Sequence, residues 1–326
     1  MLEVHDVPPP QPAAGQVRVQ VRAAGVNFAD VLIRVGIYPN APRLPAVIGY
    51  EMAGEIDAVG EGVDPARVGS RVVGLLPHYG GYSEQVILPA ADAIPFSDTL
   101  SFTQAATLPV NYLTAWLMLV RLGHVQEDQT VLVHAAAGGV GLAAVQICRW
   151  RKANVIGTAS RAKHERLREL GVRHCIDYRS QDFQPEVLRI TGGQGVDLAL
   201  DAVGGASFAQ SYQCLAPLGR LFVYGVSSMV PGPRRSWTAI LKSLLQMPKF
   251  KPLDLLAKNR GVMGISLGQL GPQGALLGPL LREIVGHAQR GVFDPVVAAT
   301  FPLTAAAEAH RYLQDRQNVG KVLLVP

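Results

Sequence analysis

The sequence predicts an α/β chain in which a doubly wound parallel sheet is inserted into a smaller, mainly antiparallel β domain. Three observations predict it. After Thr130, short apolar strands alternate with helix-capable segments, the rhythm of a parallel sheet with crossover helices. Residues 1 to about 105 instead carry short alternating runs punctuated by glycine and proline, a style that returns at the C-terminus. A length of 326 residues also suits two cores better than one.

Along the first region, QVRVQVRAAG, EMAGEIDAVG and GYSEQVIL read as antiparallel strands. Six strands follow in the second: TVLVH from Thr130, NVIGTA from Asn154, RHCIDY from Arg173, VDLALDAV from Val196, RLFVYG from Arg220 and GVMGISL from Gly261. A helix around Gly278–Arg290 then leads to FDPVVAATFPL and KVLLVP, strands around the helix TAAAEAHRYLQD. The expected boundaries are therefore 1–105, 106–274 and 275–326, with the outer two segments forming one discontinuous domain.

Composition sets outer limits. Hydrophobic residues make up 48% and charged residues 17%, a globular and rather apolar balance. Cys148, Cys175 and Cys214 are an odd, widely spaced set without metal-type pairing, and no signal segment opens the chain, which points to a reducing cytoplasm. The stretch Val131–Cys148 is nearly apolar enough for a membrane span, but His134, Gln146 and three glycines interrupt it, and a buried strand-turn-helix explains it better. A net charge of +5 would suit phosphate-bearing ligands, yet the basic residues are dispersed, so an ordinary solvated surface is favoured and nucleic acid is not an expected partner.

The run TVLVHAAAGGVG carries the chemistry. An apolar strand feeds a small-residue turn that opens directly into the helix GLAAVQICRW. Small residues let a backbone approach a pyrophosphate closely, and the helix N-terminus offers free N–H groups at its positive dipole end. In the G-x-G-x-x-G register the positions are Ala136, Gly138 and Gly141, with Gly139 and Val140 between. Alanine at the first position weakens the bare motif; strand before and helix after strengthen it. This is a dinucleotide-binding Rossmann arrangement.

The cofactor is discriminated at the end of the second strand, where a carboxylate would bind the ribose hydroxyls and repel a 2′-phosphate. Here stand Thr158, Ala159, Ser160 and Arg161, followed by Lys163, with Tyr178 and Arg179 ending the third strand on the same side. Hydroxyls and cations without a carboxylate favour NADPH over NADH. The alternative is that Arg161 and Lys163 are early residues of an exposed helix, although cations at a helix start sit poorly against its dipole.

The segments GVNFADVLIRVGIYP, IGYEMAGEIDAVG, AATLPVNYLTAW, VLVHAAAGGVGLAAVQ and NVGKVLLVP, in that order over nearly the whole chain, resemble the quinone oxidoreductase (zeta-crystallin-like) branch of the medium-chain dehydrogenase/reductase superfamily. NYLTAW, GTASRAKHE, IDYR and NVGKVLL bring the resemblance nearest to the vesicle amine transport protein homologues. The resemblance implies a GroES-like substrate domain around the Rossmann domain. It also implies a homodimer paired through the edge strand Gly261–Leu267. Zinc alcohol dehydrogenases of the superfamily carry a catalytic Cys where this chain has the Asn27 neighbourhood, and G-H-E where it reads Gly49, Tyr50, Glu51. No metal is therefore expected, no four-cysteine cluster occurs in the first domain, and His78, His134 and His164 read as core or surface histidines.

By the same resemblance, Asn27 lies at the cofactor and substrate cleft as an amide donor to a substrate oxygen or ribose, and Tyr38 matches a quinone-pocket tyrosine. Asp30 orients neighbours rather than transferring protons. A packing or turn role is the alternative for each. Several quinone reductases have a second tyrosine where this chain has Leu32, which limits transfer of quinone specificity. Tyr224, Gly225 and Val226 at the end of the fifth strand, Gly264 and Ser266 near the nicotinamide, and Asn318 and Lys321 in the N-V-G-K segment are the remaining cofactor contacts implied. Lys321 reads equally as a solvated lysine at a strand start.

Between Pro231 and Arg260, Trp237, Ile240, Leu241, Leu244 and Leu245 form an apolar stripe at helical spacing. Arg234, Arg235, Lys242, Lys249, Lys251 and Lys258 surround it against only Asp254. A helix packed beside the cleft is the preferred reading, and peripheral contact with an anionic membrane the other. Relatives usually have a strand before the segment matching LEVHDVPPPQP, so its lack here would expose a sheet edge.

These readings converge on an NADPH-dependent, zinc-independent reductase that transfers hydride to quinones or α,β-unsaturated carbonyls, where charge delocalises onto an oxygen that hydrogen-bond donors stabilise. The enzymatic alternative is an enoyl-thioester reductase of fatty-acid or polyketide type. The non-enzymatic one is an NADPH-binding regulatory, membrane-associated or RNA-binding protein.

Overall fold

A computed structural model describes residues 2–39, 41–270 and 274–326. The chain divides into two compact units, one of Met1–Leu113 with Leu267–Pro326 and one of Thr114–Ser266. Each holds its own sheet.

The first unit is built on strands β1 (Gln16–Val26), β2 (Glu51–Val59), β3 (Arg71–Leu75), β4 (Gln85–Pro89) and β5 (Ile94–Pro95). On β1, Val17, Val19 and Val21 are buried while Arg18 and Arg22 reach Asp57 and Glu55 across β2 on the other face. Burying each valine contributes roughly 1.5–3 kcal/mol; the exposed ion pairs contribute less than about 1 kcal/mol each. The long β1 is shared along its edge, pairing β4 antiparallel through Gln16–Gln20 and the C-terminal strand through Ala24–Val26.

The second unit contains β6 (Thr130–Val133), β7 (Asn154–Ala159), β8 (His174–Asp177), β9 (Val196–Asp201), β10 (Leu215–Val223) and β11 (Gly261–Gly264). All pairs are parallel, in the order β11-β10-β9-β6-β7-β8. This is the doubly wound Rossmann sheet, with the order reversing between β6 and β9. β10 begins earlier than the sequence predicts because Pro217, Leu218 at φ 65° and Gly219 interrupt it, shifting register between Leu215 and Arg220. β11 stops at Gly264, short of the predicted Leu267.

The chain then returns to the first unit through the helix Gly274–Gln289, β12 (Val297–Pro302), the helix Ala306–Gln314 and β13 (Lys321–Val325). β13 lies between β12 and β1, which makes the first sheet GroES-like, β12-β13-β1-β2-β3-β5 with β4 on β1. Three sequence-distant strand ends thereby become neighbours: the C-terminus of β1 and the starts of β2 and β13.

The helices Trp237–Leu245 and Pro252–Lys258 differ from the preferred sequence reading. Their stripe is not packed: Trp237 is 68%, Leu241 58%, Leu245 77% and Leu253 76% exposed, and Ser243 is the buried residue of the first helix. Among the described residues no helix is long and apolar enough to cross a membrane.

Candidate active site

Because every strand of the second sheet runs the same way, the turns after β6, β7, β8, β10 and β11 emerge at one edge. That edge gathers Ala136, Gly138, Gly139, Val140 and Gly141, then Ser160 and Lys163, Tyr178, Tyr224, Gly225 and Val226, and Gly264 and Ser266. The turn after β6 is tightly made. Ala136 donates its N–H to Thr158 O at 3.1 Å, and Gly138 donates to Ala135 O at 2.8 Å. Gly138 is the N-cap of the helix Gly139–Trp150 and gives it no side-chain cap. A Cβ on Gly141 would run into the carbonyl oxygens of Ala135 and Ala136, so only glycine lets the helix start this close to the strand. The first N–H groups of a 12-residue helix are thus left without helical or cap partners, at a partly exposed turn of small residues. These residues fit a pyrophosphate.

Beneath this turn lies a buried polar network. Asp201, fully buried, accepts from Val203 N at 2.7 Å and from the Ser207 and Ser211 hydroxyls, each at 2.7 Å. His134 bridges Ser211 Oγ at 2.9 Å and Thr158 Oγ1 at 3.1 Å, and burial lowers its pKa, favouring the neutral ring. The ends of β6, β7 and β9 are locked together by it. At the adjacent turn, Ser160 precedes the short helix Arg161–Lys163 without a cap bond. Sequence reasoning missed one carboxylate there. Asp177 ends β8 opposite Ala159, and its oxygens accept from Arg179 N at 3.1 Å and Ser180 Oγ at 3.0 Å, the first of which leads in holding its pKa low.

The first unit holds the expected polar residues in two linked clusters. Asn27 directly follows β1, is the N-cap residue of the helix Phe28–Arg34 and is 8% exposed. Its side-chain Oδ1 accepts from Lys321 Nζ at 2.6 Å, and its Nδ2 donates to Glu51 Oε1 at 2.8 Å. Lys321 and Glu51 form a direct buried ion pair. Glu51 Oε2 accepts from Val110 N at 2.7 Å, and Asn111 Oδ1 lies 3.5 Å from Lys321 Nζ. Lys321 is therefore not a solvated strand-start lysine. Glu51 and Asn111 belong to this cluster although sequence reasoning gave neither a site role; the signal for Glu51 and Lys321 was a charge as the first residue of each of two strands, EMAGEI and KVLLV.

The second cluster begins at Asp30, whose Oδ2 accepts from Asn27 N at 2.8 Å and lies 3.3 Å from the Tyr82 hydroxyl. That hydroxyl is 2.9 Å from His310 Nε2. Burial raises the Asp30 pKa to about 7 against the opposing Asn27 N–H and Lys321, and burial with the Arg34 charge lowers that of His310 to about 3. Asp30 Oδ1 and His310 Nδ1 are buried with no hydrogen-bond partner among the described residues. Tyr38 sits apart from both clusters, edge-on to Tyr50 with ring centroids 6.2 Å apart; Tyr50 in turn meets Tyr79 at 4.9 Å, with their hydroxyls 3.4 Å apart. Burial pushes the Tyr50 hydroxyl pKa well up, keeping it a donor. Tyr79 holds φ 67°, a left-handed conformation costly for a bulky residue. Asn318 is buried and donates to Gly320 O at 2.8 Å, shaping the turn before β13. Among the described residues there is no group of three or more His, Cys, Asp or Glu that could hold a metal.

A parallel sheet with an uncapped helix at its switch point, joined in one chain to a GroES-like β unit, defines an oxidoreductase of the two-domain dehydrogenase class. Comparison with known proteins agrees. The alcohol dehydrogenase GroES-like domain matches residues 13–98, and the zinc-binding dehydrogenase domain matches 170–324. The human synaptic vesicle membrane protein VAT-1 homolog is 39% identical over 326 residues, spanning 100% of this chain and 82% of that protein. The Escherichia coli quinone oxidoreductase solved in complex with NADPH superposes with a TM-score of 0.84 at 31% identity, covering 99% of this chain and 95% of that one. The CurK enoyl reductase gives 0.83 at 32% identity, covering 98% and 94%. The chain belongs to the medium-chain dehydrogenase/reductase family.

Proposed function

We propose that this oxidoreductase is an NADPH-dependent, zinc-independent reductase of quinones or α,β-unsaturated carbonyls. The observation that carries the reading is the uncapped helix N-terminus behind the small-residue turn Ala135–Gly138, which Gly141 alone permits. NADPH, when bound, supplies the hydride. Gly138–Gly141 would hold its pyrophosphate, Ser160, Arg161, Lys163 and Tyr178 its adenosine phosphate, and Tyr224–Val226 with Gly264 and Ser266 would line the strand ends beside it. Asp177 keeps its negative charge while bonded to its own turn, and Arg161, Lys163 and Arg179 are the cations that offset it toward a phosphate. Asn27 and Tyr38 are the donors to the acceptor oxygen, and Asp30 fixes the Asn27 backbone. The similarity to a quinone oxidoreductase complexed with NADPH supports both cofactor and acceptor class, and that to an enoyl reductase keeps thioesters in the panel.

The test is oxidation of NADPH against NADH by the purified protein, with 9,10-phenanthrenequinone, 1,4-benzoquinone, a short enone and crotonyl thioester offered separately. NADPH-selective turnover of quinone or enone without added metal is expected. Turnover confined to the thioester would replace the acceptor class, and a preference for NADH would overturn the phosphate assignment.

Two proposals concern partners. The exposed stripe of Trp237, Leu241, Leu245, Leu253 and Leu256, ringed by Lys242, Lys249, Lys251 and Lys258, supports peripheral contact with an anionic membrane. Co-sedimentation with vesicles containing phosphatidylserine, lost on Trp237→Ala with Leu241→Ala, is the expected result. Among the described residues β11 has a strand neighbour on one side only, which supports edge pairing in a homodimer, to be checked by the sedimentation coefficient.

A further inference from the structure

Taking two full charges out of water is costly, and a well-packed apolar pair of similar volume is often as stable or more so. The Lys321–Glu51 pair is nonetheless enclosed in the first unit, 2% and 0% exposed. Room is made for it: a Cβ on Gly25 would overlap the Glu51 carboxylate, so the chain gives up a side chain on β1 to seat that group. The pair therefore needs a reason beyond stability.

Proton counting supplies one. An ammonium only donates and a carboxylate only accepts. Asn27, placed between them, has its amide orientation dictated: oxygen toward Lys321, nitrogen toward Glu51. Reversed, it would set N–H against ammonium and C=O against carboxylate. One hydrogen of Nδ2 goes to Glu51, and the other is taken by no described residue. Asn111 also turns its oxygen toward Lys321. The ammonium's three protons face Glu51, Asn27 and, at the outer limit of a hydrogen bond, Asn111, which leaves none for a phosphate or ribose.

We infer that Glu51 and Lys321 are a buried positioning pair that locks the Asn27 carboxamide with its remaining N–H as a donor to an acceptor oxygen, and that Lys321 is not a cofactor contact. The ligand class that fits is an uncharged or developing-anionic oxygen, such as the carbonyl of a quinone or enone, to which a fixed N–H is a better partner than a rotating one. This rests on the reading of Asn27 as a donor to substrate.

The experiment compares wild type, E51L/K321M, N27A and the triple variant in the full chain, with Gly25→Ala as a second route that displaces the carboxylate while keeping every polar group. The expected result is an NADPH dissociation constant within about twofold of wild type, kcat with 9,10-phenanthrenequinone lowered about tenfold or more in both E51L/K321M and G25A, and little further loss when N27A is added to E51L/K321M. Unchanged kcat in folded E51L/K321M or G25A would overturn the inference. So would an N27A loss as large in the double variant as alone, or a tenfold weaker NADPH affinity at unchanged kcat. If wild type turns over no acceptor, the proposed function fails, and positioning is then read from the Asn27 side-chain amide by NMR. Two widely separated, slowly exchanging proton signals that collapse in E51L/K321M uphold it; signals already averaged in wild type refute it.

Discussion

Both units bury carboxylates at the places that matter, and they stabilise them differently. In the Rossmann unit, Asp201 is held by neutral donors alone, two serine hydroxyls and backbone N–H groups, while the nearby His134 ring stays uncharged. In the GroES-like unit, Glu51 is met by a full cation from the far end of the chain. The direct side-chain donors to Asp201 are local, Ser207 and Ser211 lying within one strand-turn-helix, and the neutral His134 carries the network on to Thr158. The ionic one ties β1, β2 and β13 together. A network of neutral donors positions a backbone turn; a charged one fixes the direction of an amide and makes its partners interdependent.

That contrast is broken most strongly by removing one charge. Lys321→Met leaves Glu51 uncompensated and is expected to cost about 3–5 kcal/mol in urea unfolding, most of it recovered in E51L/K321M. Equal stability of the single and double variants would contradict the ionic description. Second in size is the pH response of the chain Asp30–Tyr82–His310. A carboxyl whose pKa rises from 3.8 to about 7 on folding adds stability that is fully present below pH 3.8 and is lost as pH climbs through about 7. A ring whose pKa falls from 6.5 to about 3 adds stability present above pH 6.5 and lost as pH falls through about 3. The two slopes oppose each other in the shared window. Asp30→Asn should therefore expose an acid sensitivity below pH 6.5 of about 1.4 kcal/mol per pH unit that the parent lacks, read from urea midpoints. An unchanged pH profile would refute it. Asp201→Asn, where hydroxyls can reorient, is expected to cost about 1–3 kcal/mol. Smallest is Trp237→Ala on the exposed helix, within about 0.5 kcal/mol by thermal unfolding, so that lost vesicle binding would not reflect unfolding.

The same contrast explains what the sequence could reveal. The six parallel strands and the Gly138–Gly141 turn were legible because each is local: apolar runs, small residues and a helix start follow in order. Where local rules conflicted, they misled; Pro217 and Gly219 hid the start of β10, and an apolar helical stripe read as packed although Trp237 and Leu245 face water. Asn27 and Asp30 were found through resemblance, but what Asn27 touches was not, since Glu51 lies 24 and Lys321 294 residues away. No periodicity encodes that meeting. It follows from the pairing of β13 and β2 with β1, a consequence of the whole sheet.

The Asp30–Tyr82–His310 chain has one more consequence. In the unfolded chain near pH 5 the carboxyl is an anion and the imidazole a cation; in the folded one, both are neutral. Folding transfers a proton from ring to carboxyl without drawing one from water. The two groups, separate solvated ions in the unfolded chain, enter the interior uncharged, and over that range their burial is silent to the buffer.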